Sequence, residues 1–83
     1  MTREEVEQEL RQIVTKLVDV SDEELEDCST FSSIGADSLD RVEILITIEE
    51  KYHIDIKDED AEKVATFGDL VDLTMKTIGE GTN

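Results

Sequence analysis

The sequence predicts an all-α fold: a small four-helix bundle of three longer helices and one short one, with a long first connection. Three observations predict it. Apolar residues recur at helical spacing near both ends of the chain, residues able to cap a helix stand ahead of each candidate segment, and none of the 83 residues is proline, so only glycine and caps punctuate the chain.

The first element opens on Thr2 and Glu5, which have the spacing of a capping box. Val6, Leu10, Ile13, Val14 and Leu17 then form one stripe of an amphipathic helix. From Asp19 to Ala36 the periodicity lapses into a mainly polar connection holding Val20, Leu25, Phe31 and Ile34, in which Ser21 with Glu24 can cap a single turn. A connection this long is usually functional, or anchored by its few apolar residues.

Asp37 is a good N-cap for the second element, which runs from Ser38 to about His53 without a breaker. Val42, Ile44, Ile46 and Ile48 alternate as a strand would, and their β-branching favours that reading. Length, the cap and the Glu49-Glu50-Lys51 ending favour a helix instead. After Ile54 and Ile56, Asp58 is expected to cap a short helix through Val64. Thr66 then caps the last helix, whose stripe is Phe67, Leu70, Val71 and Ile78, with Asp69 in the first turn and Gly79 as a stop. The chain is expected to be a single domain, 1–83, ordered over about 3–78, with 79–83 a frayed tail.

With 23 acidic against 8 basic residues, the formal charge is −15, so nucleic acid and anionic lipid would both repel the chain; suitable partners carry basic faces. A chain of this length buries only about 60% of its unfolded surface, which leaves little room for a deep enzymatic cleft. The single cysteine, Cys28, cannot form an internal disulfide; it reads as a structural residue in a reducing compartment. The longest apolar run, Ile44 to Ile46, is far too short to span a membrane, and Thr2-Arg3-Glu4-Glu5 leaves no apolar core for a secretory signal, so a cytoplasmic location is expected.

On a helical wheel, Ile44, Leu45, Ile48 and Tyr52 fall in one sector roughly 100° wide, the stripe expected to face the core. Leu39, Val42 and Ile46 fall in a second sector roughly 60° wide, bordered by Glu43, Glu49 and Glu50. A narrow apolar patch rimmed by charge is a candidate contact surface. The alternative is that Phe31 or Ile34 folds over that stripe. Ser38 stands at the helix start, where unpaired amides and the helix dipole favour an attached anion such as a phosphodiester; otherwise it is an ordinary polar residue beside its cap. It is not a catalytic nucleophile, because the sole histidine, His53, lies about 22 Å further along the same helix. Asp58-Glu59-Asp60 lacks the spacing and central glycine of a calcium loop, so no metal site is expected.

The run Gly35-Ala36-Asp37-Ser38-Leu39-Asp40-Arg41-Val42-Glu43 resembles the attachment site of an acyl carrier protein, and the likeness extends over residues 3–78. The resemblance implies that Ser38 receives 4′-phosphopantetheine from coenzyme A through a separate phosphopantetheinyl transferase, and that the terminal thiol of this cofactor carries acyl groups as thioesters. It also implies that an acyl chain can slip between the helices, and that Cys28 is not the acyl-bearing thiol. Such a carrier is a monomer with no catalytic residue, serving acyl-transferring, condensing and modifying enzymes. On this reading Asp37, Asp40, Glu43, Glu49 and Glu50 steer basic partner surfaces, while Leu39, Val42 and Ile46 supply the apolar contact. Fatty acid biosynthesis is the expected pathway, with a polyketide, modified-lipid or ligase-coupled pathway as the alternative. Arg41 and Lys57 depart from the resemblance: an uncharged residue is common at the first position and proline at the second. A non-carrier reading remains, an acidic helical interaction module whose Ser38 is never modified.

Overall fold

A computed structural model describes residues 2–80. Four helices follow in order: α1 (Arg3–Leu17), α2 (Ser38–Tyr52), α3 (Asp58–Ala61) and α4 (Phe67–Glu80). Both α2 and α4 pack on α1.

The predicted capping box of α1 is present: the Glu5 amide donates to the Thr2 hydroxyl at 3.2 Å, and the Thr2 amide donates to the Glu5 carboxylate at 3.1 Å. The Thr2 amide, and next the Thr2 hydroxyl donating at 3.2 Å, hold the Glu5 carboxyl below its usual pKa. Val6, Leu10, Ile13 and Val14 are buried and Leu17 half-buried, as the stripe predicts. On α4, Phe67, Leu70 and Val71 meet them, with Ile78 half-buried. Thr74 is also buried there, its hydroxyl satisfied by the Leu70 carbonyl at 2.8 Å.

Leu25 is buried, and Val20, Phe31 and Ile34 pack partly against the core. The turn predicted at Ser21 and Glu24 is present. Polar bonds complete the fastening. The Arg11 guanidinium donates to the carbonyls of Asp22 and Leu25 at 3.1 and 2.5 Å and lies 5.4 Å from the Phe67 ring centroid. From the start of α4, the Phe67 and Gly68 amides donate to Ser29 and Asp27 carbonyls at 2.8 and 2.9 Å. A Cβ at Gly68 would lie 3.1 Å from the Asp27 carbonyl oxygen, so this approach favours glycine. Gly35, at φ +79°, makes the left-handed turn that delivers the chain to α2.

The second segment is a helix along its whole length, as its cap and span predict, despite its β-branched residues. Three expectations need correction. Asp58 is the first residue of α3 rather than its cap, and α3 ends at Ala61, not Val64. The chain there tightens to i−3 hydrogen bonds, Lys63 to Asp60 and Val64 to Ala61, and turns into Thr66. Thr66 does cap α4, in a reciprocal box with Asp69. Gly79 does not stop α4, which continues to Glu80; Gly35 is the left-handed glycine among the described residues. The rest of the expected tail, 81–83, lies outside the described residues. Cys28, expected to be structural, is exposed, its thiol 3.6 Å from the Glu26 carboxylate. The backbone bonds to Asp27 and Ser29 hold this turn without its side chain.

Candidate functional site

Asp37 accepts the Asp40 amide at 2.9 Å, and Asp40 accepts the Asp37 amide at 3.2 Å. Because the flanking carboxylates cap α2 between them, Ser38 is left out of the capping. Its side chain is exposed and makes no hydrogen bond to any other described residue. With the Asp40 amide bonded to Asp37 and the Arg41 amide to the Asp37 carbonyl, the Ser38 and Leu39 amides remain without an intrahelical partner. An exposed hydroxyl beside two such donors suits attachment of a phosphodiester, so the residues present fit the phosphopantetheine that the resemblance implies.

Leu39 is 71% exposed, Val42 50% and Ile46 47%. Phe31 and Ile34 pack on the core instead, so they do not cover this stripe. Asp37, Glu43 and Glu50 are exposed around it and Asp40 is half-buried. Glu49 is half-buried as well: its carboxylate accepts the Ile56 amide at 2.8 Å and ties the end of α2 to the chain leading into α3. His53 closes α2 in the left-handed conformation, at the far end from Ser38, so the one histidine of the chain cannot serve that hydroxyl as a base.

On the opposite side, Ile44 and Ile48 are buried and Leu45 and Tyr52 half-buried. The Tyr52 hydroxyl donates to Glu9 of α1 at 2.5 Å. Burial first, then this hydrogen bond and the Glu9 charge, push the phenol well above its ordinary pKa.

Arg41 stands out in the sequence as a departure from the resemblance, but its structural role does not. Its wheel angle falls in the middle of the sector of Ile44, Leu45, Ile48 and Tyr52, so a cation starts from the core face of the helix. That angle was the available signal. The guanidinium escapes to the seam between α2 and α3, donating to the Ala61 carbonyl and, at 3.3 Å, to the Val64 carbonyl. It lies 5.1 Å from the Phe31 ring centroid, within cation–π range.

A family model described as "Phosphopantetheine attachment site" matches residues 8–74. The acyl carrier protein of Wolinella succinogenes is 45% identical over 64 residues, 76% of this chain and 84% of that protein. Among solved structures, the Enterococcus faecalis acyl carrier protein superposes with a TM-score of 0.78 at 33% identity, covering 93% of this chain and 99% of that one. The hexanoyl carrier of the actinorhodin polyketide synthase from Streptomyces coelicolor superposes at 0.75 with 28% identity, covering 88% and 90%.

Proposed function

Because this chain belongs to the acyl carrier proteins, which carry 4′-phosphopantetheine covalently, we propose that Ser38 is the attachment residue and that the acidic, apolar-striped face of α2 docks partner enzymes. The observation that carries the reading is the exposed Ser38 hydroxyl, left unbonded by a capping box built from its neighbours. In the loading step, the Ser38 oxygen attacks phosphorus in the pyrophosphate link of coenzyme A. A phosphodiester forms at Ser38, adenosine 3′,5′-bisphosphate leaves, and the hydroxyl proton passes to a base on the transferase. When bound, the group supplies a terminal thiol on which acyl groups are carried as thioesters, and the tether raises their effective concentration at a docked active site.

The chain itself positions and presents. Asp37, Asp40, Glu43, Glu49 and Glu50 steer basic surfaces, and Leu39, Val42 and Ile46 form the desolvated contact. Exposed ion pairs contribute only about 0 to 1 kcal/mol each, so association is fast and brief, as a shuttle requires. As an acyl carrier, the chain serves enzymes without being one, working as a cytoplasmic monomer. Fatty acid biosynthesis is the pathway we assign first. Arg41 favours the second reading, a carrier for a specialised pathway, because it places a bound cation at the α2–α3 seam.

Incubation with a phosphopantetheinyl transferase and coenzyme A, followed by intact-mass measurement, tests the attachment. The wild type is expected to gain one phosphopantetheine and Ser38→Ala none. No gain by the wild type, under conditions that load a control carrier, leaves only an acidic helical module.

A further inference from the structure

The Arg41 side chain crosses the α2–α3 seam beside Ser38. Arg41 lies three residues on from Ser38, so their Cβ atoms are neighbours about 5–6 Å apart on the helix surface. Its guanidinium spans from α2 to the carbonyls of Ala61 and Val64 and covers the Phe31 ring. Behind it the interior is full: Ile44, Ile56, Ala61, Val64 and Phe67 are all buried. The cavity lined by Phe31, Ile34, Phe67 and Leu70 measures about 10 Å³, room for about one water. Outside the latch runs a shallow groove of about 330 Å³ lined by Arg41, Asp58, Ala61 and Glu62. Three of those four residues are charged, so the groove suits a polar group and not an alkyl chain.

We propose that Arg41 is a specificity-determining latch across the α2–α3 seam that keeps tethered acyl chains out of the helical core, making this a carrier of short or polar acyl groups. The inference rests on the carrier reading. An alkyl chain held near Ser38 is driven toward the nearest apolar interior, and the drive grows with every methylene. To enter at this seam it must separate Arg41 from two carbonyls. Hydrogen bonds donated by a charged group are about twice as strong as neutral ones, and the two carbonyls would lose that donor. Exclusion therefore fails above a chain length that Arg41 sets. A side chain of similar reach without the charge, as in Arg41→Met, lowers that length.

The test uses the full chain loaded at Ser38 by a promiscuous phosphopantetheinyl transferase from acetyl, hexanoyl and octanoyl coenzyme A. Mass confirms loading first, so a failure of the attachment reading shows itself as no mass gain. Cleavage of each thioester by hydroxylamine is then timed against the corresponding free acyl pantetheine. For the wild type, all three are expected to cleave within twofold of the free compound. In Arg41→Met and Arg41→Thr, octanoyl cleavage is expected to slow at least fivefold while acetyl is unchanged. Fivefold protection of octanoyl in the wild type overturns the proposal, as do folded variants that protect no better than wild type. A second measurement needs no variant: amide hydrogen exchange over residues 54–66 is expected to be the same in the acetyl and octanoyl wild type. Exchange that quickens there with octanoyl also overturns it.

Discussion

Replacing Arg11 with methionine tests how the long connection is held in place. The Arg11 side chain is 18% exposed, with its guanidinium on the carbonyls of Asp22 and Leu25 and over Phe67. Methionine keeps most of the apolar stem and removes the donor. Leaving the part-buried Leu25 carbonyl unpaired costs about 1–3 kcal/mol, and losing the contact with the ring about 0.5–1 kcal/mol more. The ion pairs to Glu7 and Asp22, at 3.9 and 3.8 Å, add little, because Asp22 is 75% exposed and the Glu7 contact is a long i,i+4 pair. The expected loss is therefore about 2–3 kcal/mol. In a domain of this size that lowers the melting midpoint by about 10–20 °C. Urea unfolding followed by far-ultraviolet circular dichroism measures it, and the midpoint should fall while the slope stays constant. Arg11→Lys should lie between, since an ammonium lacks the fork that serves two carbonyls. A loss below about 0.5 kcal/mol for methionine would show that apolar packing of Leu25 and Phe31 alone fixes the connection, and would refute the reasoning.

Glu43→Lys takes the formal charge from −15 to −13 (−15 + 2) on the exposed rim of the Leu39 stripe, and should lower transferase kcat/KM by about fivefold at low salt, an effect of about 1 kcal/mol. The wild-type rate should itself fall as salt rises, and rates indifferent to both changes would reject electrostatic docking. Tyr52→Phe removes the hydrogen bond to Glu9 and should cost about 1 kcal/mol at neutral pH. The folded phenol holds its proton more tightly than the unfolded one, so its contribution is complete below the ordinary value of 10.0 and is lost as pH rises above it. Stability measured by urea from pH 8 to 12 should decline less steeply in the variant, and parallel curves would count against the Tyr52–Glu9 pair.

What the sequence made legible was local. The Thr2–Glu5 and Asp37 caps could be read because a cap joins a side chain to amides two or three residues away. The apolar stripe of α2 was visible from periodicity, and so was its exposure, since a thin bundle buries one side of each helix. The path of the connection was not legible, because it depends on Arg11 reaching Leu25 and Gly68 reaching Asp27, pairings that no periodicity encodes. Glu49 was read for its charge alone, yet its position near the end of α2 also brings it to the Ile56 amide. Gly79 misled because glycine costs a helix only about 1 kcal/mol relative to alanine, too little to end α4 by itself.

The few cations are placed so that the acidic face of α2 keeps its field. Arg11 and Arg41 turn their guanidinium groups to backbone carbonyls, and Lys51, the basic residue in the last turn of α2, lies 4.0 Å from Glu9 of α1. Among the described residues, no ion pair involves Asp37, Asp40, Glu43, Glu49 or Glu50. An uncompensated rim steers a basic partner at longer range than a neutralised one, but the same charges repel one another within the fold. Screening by salt must then act with opposite signs, relieving repulsion in the folded chain while weakening the encounter with a partner. Loading that slows with salt, in a chain whose melting midpoint rises over the same range, therefore cannot be assigned to unfolding and reports the electrostatics of the encounter.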